Sequence, residues 1–357
     1  MLKIILSLLL FHLSSFNNFY FTDDVPFKTT TIKYDFSAID KILNDSVAEK
    51  FDGHCFALIC VNGKVEYSKG FGGYTADTRQ LIASSTKWLS AAVVMSLVDE
   101  GKLKLTDTVG KFLPEFSKSG KGNISISQLF SHTSGLPGNS FQGYERNKFL
   151  TLAQATDSIG KNVALIFKPG TKFFYGGLSM QVGGRICEVA SGKTWQELFE
   201  QKIAKPCGMT NTNYGPFKNP IIAGGARSTA NDYMKFLFMI MNKGIAENGK
   251  RVLRSSSVDA MEKSYTEELG IAYSPYPYYL LKNHNFYGLG NWRDLVGKNG
   301  ELIENCSPGA FGTHPWINRD KKITGIIFTN VRRSRNEISK TAFTCFKIRS
   351  ICRDIIN

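Results

Sequence analysis

Residues Cys55 to Phe71 read CFALICVNGKVEYSKGF. Two runs rich in β-branched and aromatic residues flank Asn62-Gly63, a dipeptide that tolerates the positive φ angles of a tight hairpin. A helix is predicted next, from about Ser84 to Glu100. Trp88, Ala91, Ala92, Met95 and Val98 recur there at helical spacing, and Gly101 supplies a stop. Tyr34 to Glu49 is a further predicted helix upstream. Residues 102–250 read mostly as helix and loop, punctuated by Gly135-Leu136-Pro137-Gly138 and Pro169-Gly170, with helices at Ser179–Ala190, Trp195–Ile203 and Asn231–Met241. Strands are expected again at Phe286–Leu289, Ala310–Phe311 and Ile323–Asn330, before a last helix from about Glu337 to Ile356. Strands at both ends with helices between imply an α/β fold. Its sheet gathers from residues 50–75 and 285–331, is flanked by helices, and carries an inserted, mainly helical part.

The chain has 357 residues, 42% hydrophobic and 21% charged, which excludes a disordered, collagenous or multi-span membrane protein. Lys and Arg number 44 against 30 Asp and Glu, a net +14. Such a surplus raises nucleic acid or an anionic surface as partner. Much of it lies between Arg319 and Arg353, and no groove-reading motif or aromatic-interleaved basic patch accompanies it. Nucleic acid is therefore not expected; weak contact with an anionic envelope surface is.

Residues 1–16 have the pattern of a signal peptide: Lys3, then the apolar run Ile4 to Phe11, then small Ser14 and Ser15. The apolar run is far shorter than the roughly 20 residues of a spanning helix. Residues 17–31 read as a polar tether, leaving 32–357 as the folded domain. The expected location is secreted or periplasmic. The seven cysteines, at 55, 60, 187, 207, 306, 345 and 352, form no disulfide framework. They are odd in number and sit mostly in apolar stretches, so buried free thiols are expected. No zinc pattern, phosphate loop or dinucleotide fingerprint appears, so neither metal nor cofactor is expected. A Gly-x-Ser-x-Gly elbow is also absent.

Ser84-Ser85-Thr86-Lys87 opens the second predicted helix. Residues three apart share a helix face, which brings the Ser84 hydroxyl within reach of the Lys87 amine. Serine is a weak nucleophile, and a desolvated lysine of lowered pKa can take its proton. A helix N-terminus also favours developing negative charge. By itself Ser-x-x-Lys equally describes an N-cap followed by a solvated lysine.

The surrounding segments decide between these readings. They are Ile82 to Lys87, Glu100-Gly101-Lys102-Leu103 with Asp107 and Leu113-Pro114-Glu115, Leu129 to Leu136 (LFSHTSGL), and Pro169 to Tyr175 (PGTKFFY). Ser191-Gly192-Lys193, Lys205 to Thr210 and Gly224 to Thr229 follow. In this order the chain resembles the serine β-lactamase-like family of class C β-lactamases, penicillin-binding DD-peptidases and related esterases, from about Phe51 to Asn330. The resemblance implies a β-lactamase/transpeptidase-like fold, Ser84 as acylated nucleophile and Lys87 as proton acceptor. It makes Tyr175 the proton shuttle to the leaving group, with a phenolate held by Lys87. Ser307-Pro308-Gly309 matches the family's third element, so Gly309 would admit the acyl group and the Ala310 and Ser84 N–H groups would form the oxyanion hole.

Two departures stand out. Gly177 occupies the place of an amide side chain in Tyr-x-Asn. Ser307 and Pro308 replace the cationic or imidazole residue and the hydroxyl that meet a substrate carboxylate. The expectation is thus a monomeric, exported serine hydrolase acting on a small-molecule or peptide substrate: an ester, an amide or a D-amino-acid peptide. A β-lactamase or DD-carboxypeptidase, and a catalytically idle binding protein of the same fold, are the alternatives. His132 is read as a satisfied buried histidine rather than a general base. His314 is a candidate for the pocket rim, Cys306 a packing thiol, and Trp292 and Tyr287 core aromatics or site lining.

Overall fold

The computed structural model describes residues 34–276, 286–331 and 335–356; the predicted signal peptide and tether lie outside them. Six strands form one antiparallel sheet: β1 (Cys55–Val61), β2 (Lys64–Phe71), β3 (Trp292–Val296), β4 (Leu302–Cys306), β5 (His314–Asn318) and β6 (Ile323–Phe328). Their spatial order is β2-β1-β6-β5-β4-β3, so strands from the two ends of the sequence meet where β1 pairs with β6. The β1–β2 turn is Asn62-Gly63, with φ of 51° and 78°, as the dipeptide predicts.

Every residue of β1 is buried, because helices cover both sheet faces. Side chains alternate across a strand. Phe56, Leu58 and Cys60 therefore enter one core with Trp88, Leu89 and Phe236. Cys55, Ala57 and Ile59 enter a second core with Ile39, Leu43, Ile348 and Cys352. The second core lies under the N-terminal helix Ser37–Lys50 and the C-terminal helix Arg335–Ile355, which pack on each other. All seven cysteines are buried and free. Burial pushes the Cys55 thiol up to about 12, so it is unreactive near neutrality.

The first core surrounds the helix Thr86–Asp99, which is buried from Thr86 to Leu97. The predicted one-sided stripe is thus a helix enclosed all round, and Lys87 is enclosed with it. Around it lie the helices of the inserted part. Several start at a reciprocal Ser/Thr–Gln/Glu capping pair: Ser125 with Gln128, Thr151 with Gln154, and Thr194 with Glu197.

Three expected boundaries differ. Phe286–Leu289 is not a ladder strand; only Tyr287 bridges, to Trp292. Ala310–Phe311 is a turn joining β4 to β5, closed by Gly309 N–H on Thr313 O (2.7 Å) and Gly312 N–H on Gly309 O (2.9 Å). Strands β3 and β4 have no counterpart among the predicted elements. They carry Arg293, Asp294, Glu304 and Asn305, and those polar residues masked the β pattern. The helix Arg335–Ile355 buries Arg349 against Glu304, with Asp294 at 2.7 Å and Arg353 adding a bond of 2.8 Å to Glu304. Arg319 likewise pairs with Glu262, and Lys321 Nζ donates to Ile356 O. Part of the C-terminal basic surplus therefore serves the interior. No helix among the described residues is long and apolar enough to cross a membrane.

Candidate active site

Ser84 lies in a one-turn 3-10 segment, Ala83–Ser85, and the α-helix begins at Thr86. Ala83 holds φ at 44°, a strained value for a residue with a Cβ. The turn is clamped on all sides. Ile82 N–H donates to Ala226 O (3.0 Å), Ser85 Oγ to Thr313 O (3.2 Å), and Tyr233 Oη to Ser85 O (2.7 Å). Ser85 is thus turned away into the core. Ser84 remains partly exposed.

One helical turn on, Lys87 is 3% exposed. Its Nζ donates to Ser84 Oγ at 3.0 Å and to Ala223 O at 2.9 Å, and lies 4.6 Å from the centre of the Tyr175 ring. Among the described residues no carboxylate pairs with it. Burial, helped by the charge of Arg146, lowers its pKa to about 7. A substantial fraction of Lys87 is therefore free amine at neutral pH, within hydrogen-bond distance of a serine hydroxyl.

Tyr175 follows the short strand Lys172–Phe174 and is fixed by its N–H on Tyr273 O (3.1 Å). Its ring stacks on Trp292 (centroids 5.4 Å apart, planes 24° apart) and meets Tyr287 edge-on at 6.0 Å. Trp292 and Tyr287 are thus core aromatics that also shape the site. Burial pushes the phenol above its ordinary value, against a smaller downward pull from its contact with Ser84. Burial therefore opposes a phenolate at Tyr175, whereas it loosens the proton of Lys87.

The third element sits against the serine turn. A Cβ on Gly309 would lie 2.2 Å from Ile82 O, so only glycine permits this approach. Ser307 Oγ donates to Gly290 O (2.9 Å) and lies 3.4 Å from Ser84 O. That hydroxyl is therefore spent on backbone. Ala310 stands exposed at the turn tip. Gly177 N–H donates to Gly138 O (2.7 Å), and a Cβ on Gly177 would touch only Ala223, at 3.4 Å. The space of the missing amide side chain is open.

The histidines behave differently from expectation. His132 is buried, at φ 59°, with both ring nitrogens unpartnered, so it is not a satisfied histidine. Its ring packs on Tyr175 (4.7 Å) and Tyr287 (5.0 Å). Burial and the Lys87 charge hold it neutral. His314 does not rim the site: its Nε2 accepts from Arg349 Nη1 (3.1 Å) and its ring packs on Phe346. Cys306 is fully buried among Asp294 and Arg349. Among the described residues no three His, Cys, Asp or Glu side chains are grouped to hold a metal. Ala223 and Arg146 were missed from sequence. Ala223 adjoins the Gly224-Gly225 segment already singled out; nothing local marks Arg146.

Residues 53–343, which carry all three of these elements, match the model of the β-lactamase family. The chain belongs to the β-lactamase family. Other serine hydrolases share the fold, which the antiparallel sheet and flanking helices reproduce. A candidate β-lactamase of Bacteroides dorei is 33% identical, with a TM-score of 0.84 over 91% of this chain and 100% of that one. A D-stereospecific amidohydrolase from Streptomyces is 19% identical, covering 87% of this chain and 98% of that one, with a TM-score of 0.63, a likeness of fold. Protein flp of Staphylococcus aureus is 30% identical over 193 residues, 51% of this chain; the match spans 39% of that relative's length.

Proposed function

We propose that this β-lactamase-family protein is an exported serine hydrolase that forms an acyl-enzyme on Ser84. The observation that carries the reading is the 3.0 Å contact between Ser84 Oγ and a buried Lys87 whose pKa is lowered to about 7. In acylation the free amine of Lys87 takes the Ser84 proton as Oγ attacks the carbonyl carbon. The Ser84 and Ala310 N–H groups receive the developing oxyanion. The tetrahedral intermediate collapses, the bond to the leaving group breaks, and Tyr175 Oη delivers the proton that the leaving group needs. A water then adds to the acyl carbon, giving its proton back through the same groups, and Ser84 Oγ leaves with a proton restored.

Esters and small amides suit the site better than β-lactams. Gly177 has no side chain to grip an amide carbonyl, and the Ser307 hydroxyl is engaged by Gly290 O. Export rests on residues 1–16 alone, and weak contact with an anionic envelope surface would follow from it. The test is labelling by a fluorophosphonate probe, comparing wild type with Ser84→Ala. Wild-type labelling lost in the variant supports the reading; an unreactive wild type points to an idle binding protein. Fast, stable acylation by a fluorescent penicillin without turnover of a p-nitrophenyl ester would favour the peptidase alternative.

A further inference from the structure

Two phenylalanines on the segment that follows Gly138 stand in solvent: Phe141 is 102% exposed and Phe149 87%. Each lies at the centre of a tight turn. Gly143 N–H donates to Ser140 O (3.2 Å), with Phe141 and Gln142 between them. Leu150 N–H donates to Asn147 O (3.3 Å), with Lys148 and Phe149 between them. Ser140 and Asn147 are residues that favour such turns. The Ser140 hydroxyl accepts from Tyr144 N–H (2.8 Å), and the Asn147 amide oxygen accepts from Phe149 N–H (3.0 Å). The two aromatic rings therefore contribute nothing to forming the turns, and their exposure forgoes the gain that burial would bring.

Hydrogen bonds tie both turns to the body of the protein. Gly138 O accepts from Gly177 N–H (2.7 Å) and Leu178 N–H (3.1 Å). Arg146 Nη2 donates to Asn139 Oδ1 (2.9 Å) and closes the loop that carries Phe141. Asn219 Nδ2 donates to Tyr144 O and Asn147 O, both at 3.0 Å. Leu152 N–H donates to Lys218 O (2.9 Å), which brings the segment of a third exposed aromatic, Phe217, alongside the second turn.

The exposed charges on these segments have one sign. Arg146, Lys148 and Lys218 are exposed, and Lys148 Nζ lies 5.5 Å from the centre of the Phe149 ring. Across residues 139–151 and 215–220 the only carboxylate is Glu145, which is buried and accepts from Ser140 Oγ at 2.5 Å. Arg319 and Arg349 of the C-terminal basic run are, by contrast, spent on interior carboxylates.

We infer that the face bearing Phe141 and Phe149, with Phe217 at its edge, is a docking surface for an anionic lipid bilayer. Aromatic rings enter the boundary between headgroups and acyl chains, and flanking cations meet the anionic headgroups. Rings alone would suit any apolar partner, and cations alone any anion. Their combination, with no exposed carboxylate among them, matches a bilayer surface. The inference goes beyond the serine-hydrolase reading and does not rest on it.

The test is co-sedimentation with vesicles of equimolar phosphatidylglycerol and phosphatidylcholine, compared with pure phosphatidylcholine, at low salt. Binding to the anionic vesicles should be stronger by about fivefold for each of the three cations that reaches the surface. The net charge of +14 gives every face of the protein some attraction to such vesicles, so the aromatic residues decide the matter. Phe141→Ser and Phe149→Ser should each lower vesicle affinity about tenfold. Phe343→Ser, which removes a ring 53% exposed on the C-terminal helix, should leave it unchanged. All four native tryptophans are buried, so Phe141→Trp adds a reporter whose emission should shift to the blue when the anionic vesicles bind. Failure to bind those vesicles, or binding that neither Phe141→Ser nor Phe149→Ser weakens, overturns the inference. So does a dimer in sedimentation velocity that Phe141→Ser dissolves, which would assign the face to a second copy of the chain. None of these readouts uses turnover. Ser84→Ala should bind vesicles like wild type, and the hydrolase reading stands or falls separately.

Discussion

Replacing Lys87 by Met should stabilise the protein at low pH and destabilise it at high pH. In the unfolded chain this lysine titrates near 10.5; in the fold, burial brings it to about 7. Below pH 7 both states hold the proton, and the folded state bears the whole penalty of an enclosed charge. Between pH 7 and 10.5 the unfolded state binds one more proton than the folded state, so wild-type stability rises with pH by about 1.4 kcal/mol per unit. Over this window of about 3.5 units the change amounts to about 5 kcal/mol, a ceiling set by the shift. Above 10.5 the penalty is gone. Methionine removes the charge but also the bonds to Ser84 Oγ and Ala223 O, and leaving a buried carbonyl unpaired costs about 1–3 kcal/mol. The net expectation is a variant more stable by about 2–4 kcal/mol at pH 6 and less stable by about 1–3 kcal/mol near pH 10.5. Urea unfolding of both proteins at pH 6, 8 and 10, followed by tryptophan fluorescence, measures the difference directly. A stability difference flat across those three pH values would refute the reasoning, for it would mean that Lys87 is not held neutral by the fold.

Other perturbations separate the parts of the site. Tyr175→Phe keeps the stack on Trp292 but removes the phenolic donor; ester turnover should fall about 10²–10⁴-fold with the thermal midpoint nearly unchanged. Gly309→Ala would place a methyl group 2.2 Å from Ile82 O. Moving the serine turn to relieve it should cost about 1–3 kcal/mol and slow fluorophosphonate labelling, so full-rate labelling would contradict the packing argument. Arg349→Met leaves Glu304 and Asp294 buried without their guanidinium and should cost about 3–5 kcal/mol in chemical denaturation; a change under about 1 kcal/mol would show that the network is not a structural tie.

Much of this site was legible in the chain itself. Asn62-Gly63 specified a hairpin because both residues accept positive φ, and the turn forms there. Ser84 and Lys87 are three residues apart, so helix geometry alone brings their side chains together. Alternation along β1 sends Cys55 and Cys60, an odd interval apart, into opposite cores. The missed strands have a physical cause. Strands β3 and β4 carry charges that the pattern assigns to a surface, whereas Arg349, some 45 residues further on, neutralises Glu304 in the interior. His132 was expected to find a partner, and its ring nitrogens instead have none while the ring packs on Tyr175.

The chain alone determined which groups stand within a helical turn of one another. Tertiary structure decided their chemistry. The free amine at Lys87 exists because a helix read as one-sided is enclosed on every side, and desolvation, a property of the assembled core, sets the cost of its charge. Ala223, Trp292 and Arg146 join the site from positions 59 to 205 residues beyond Lys87, a proximity that only the folded packing of distant segments creates.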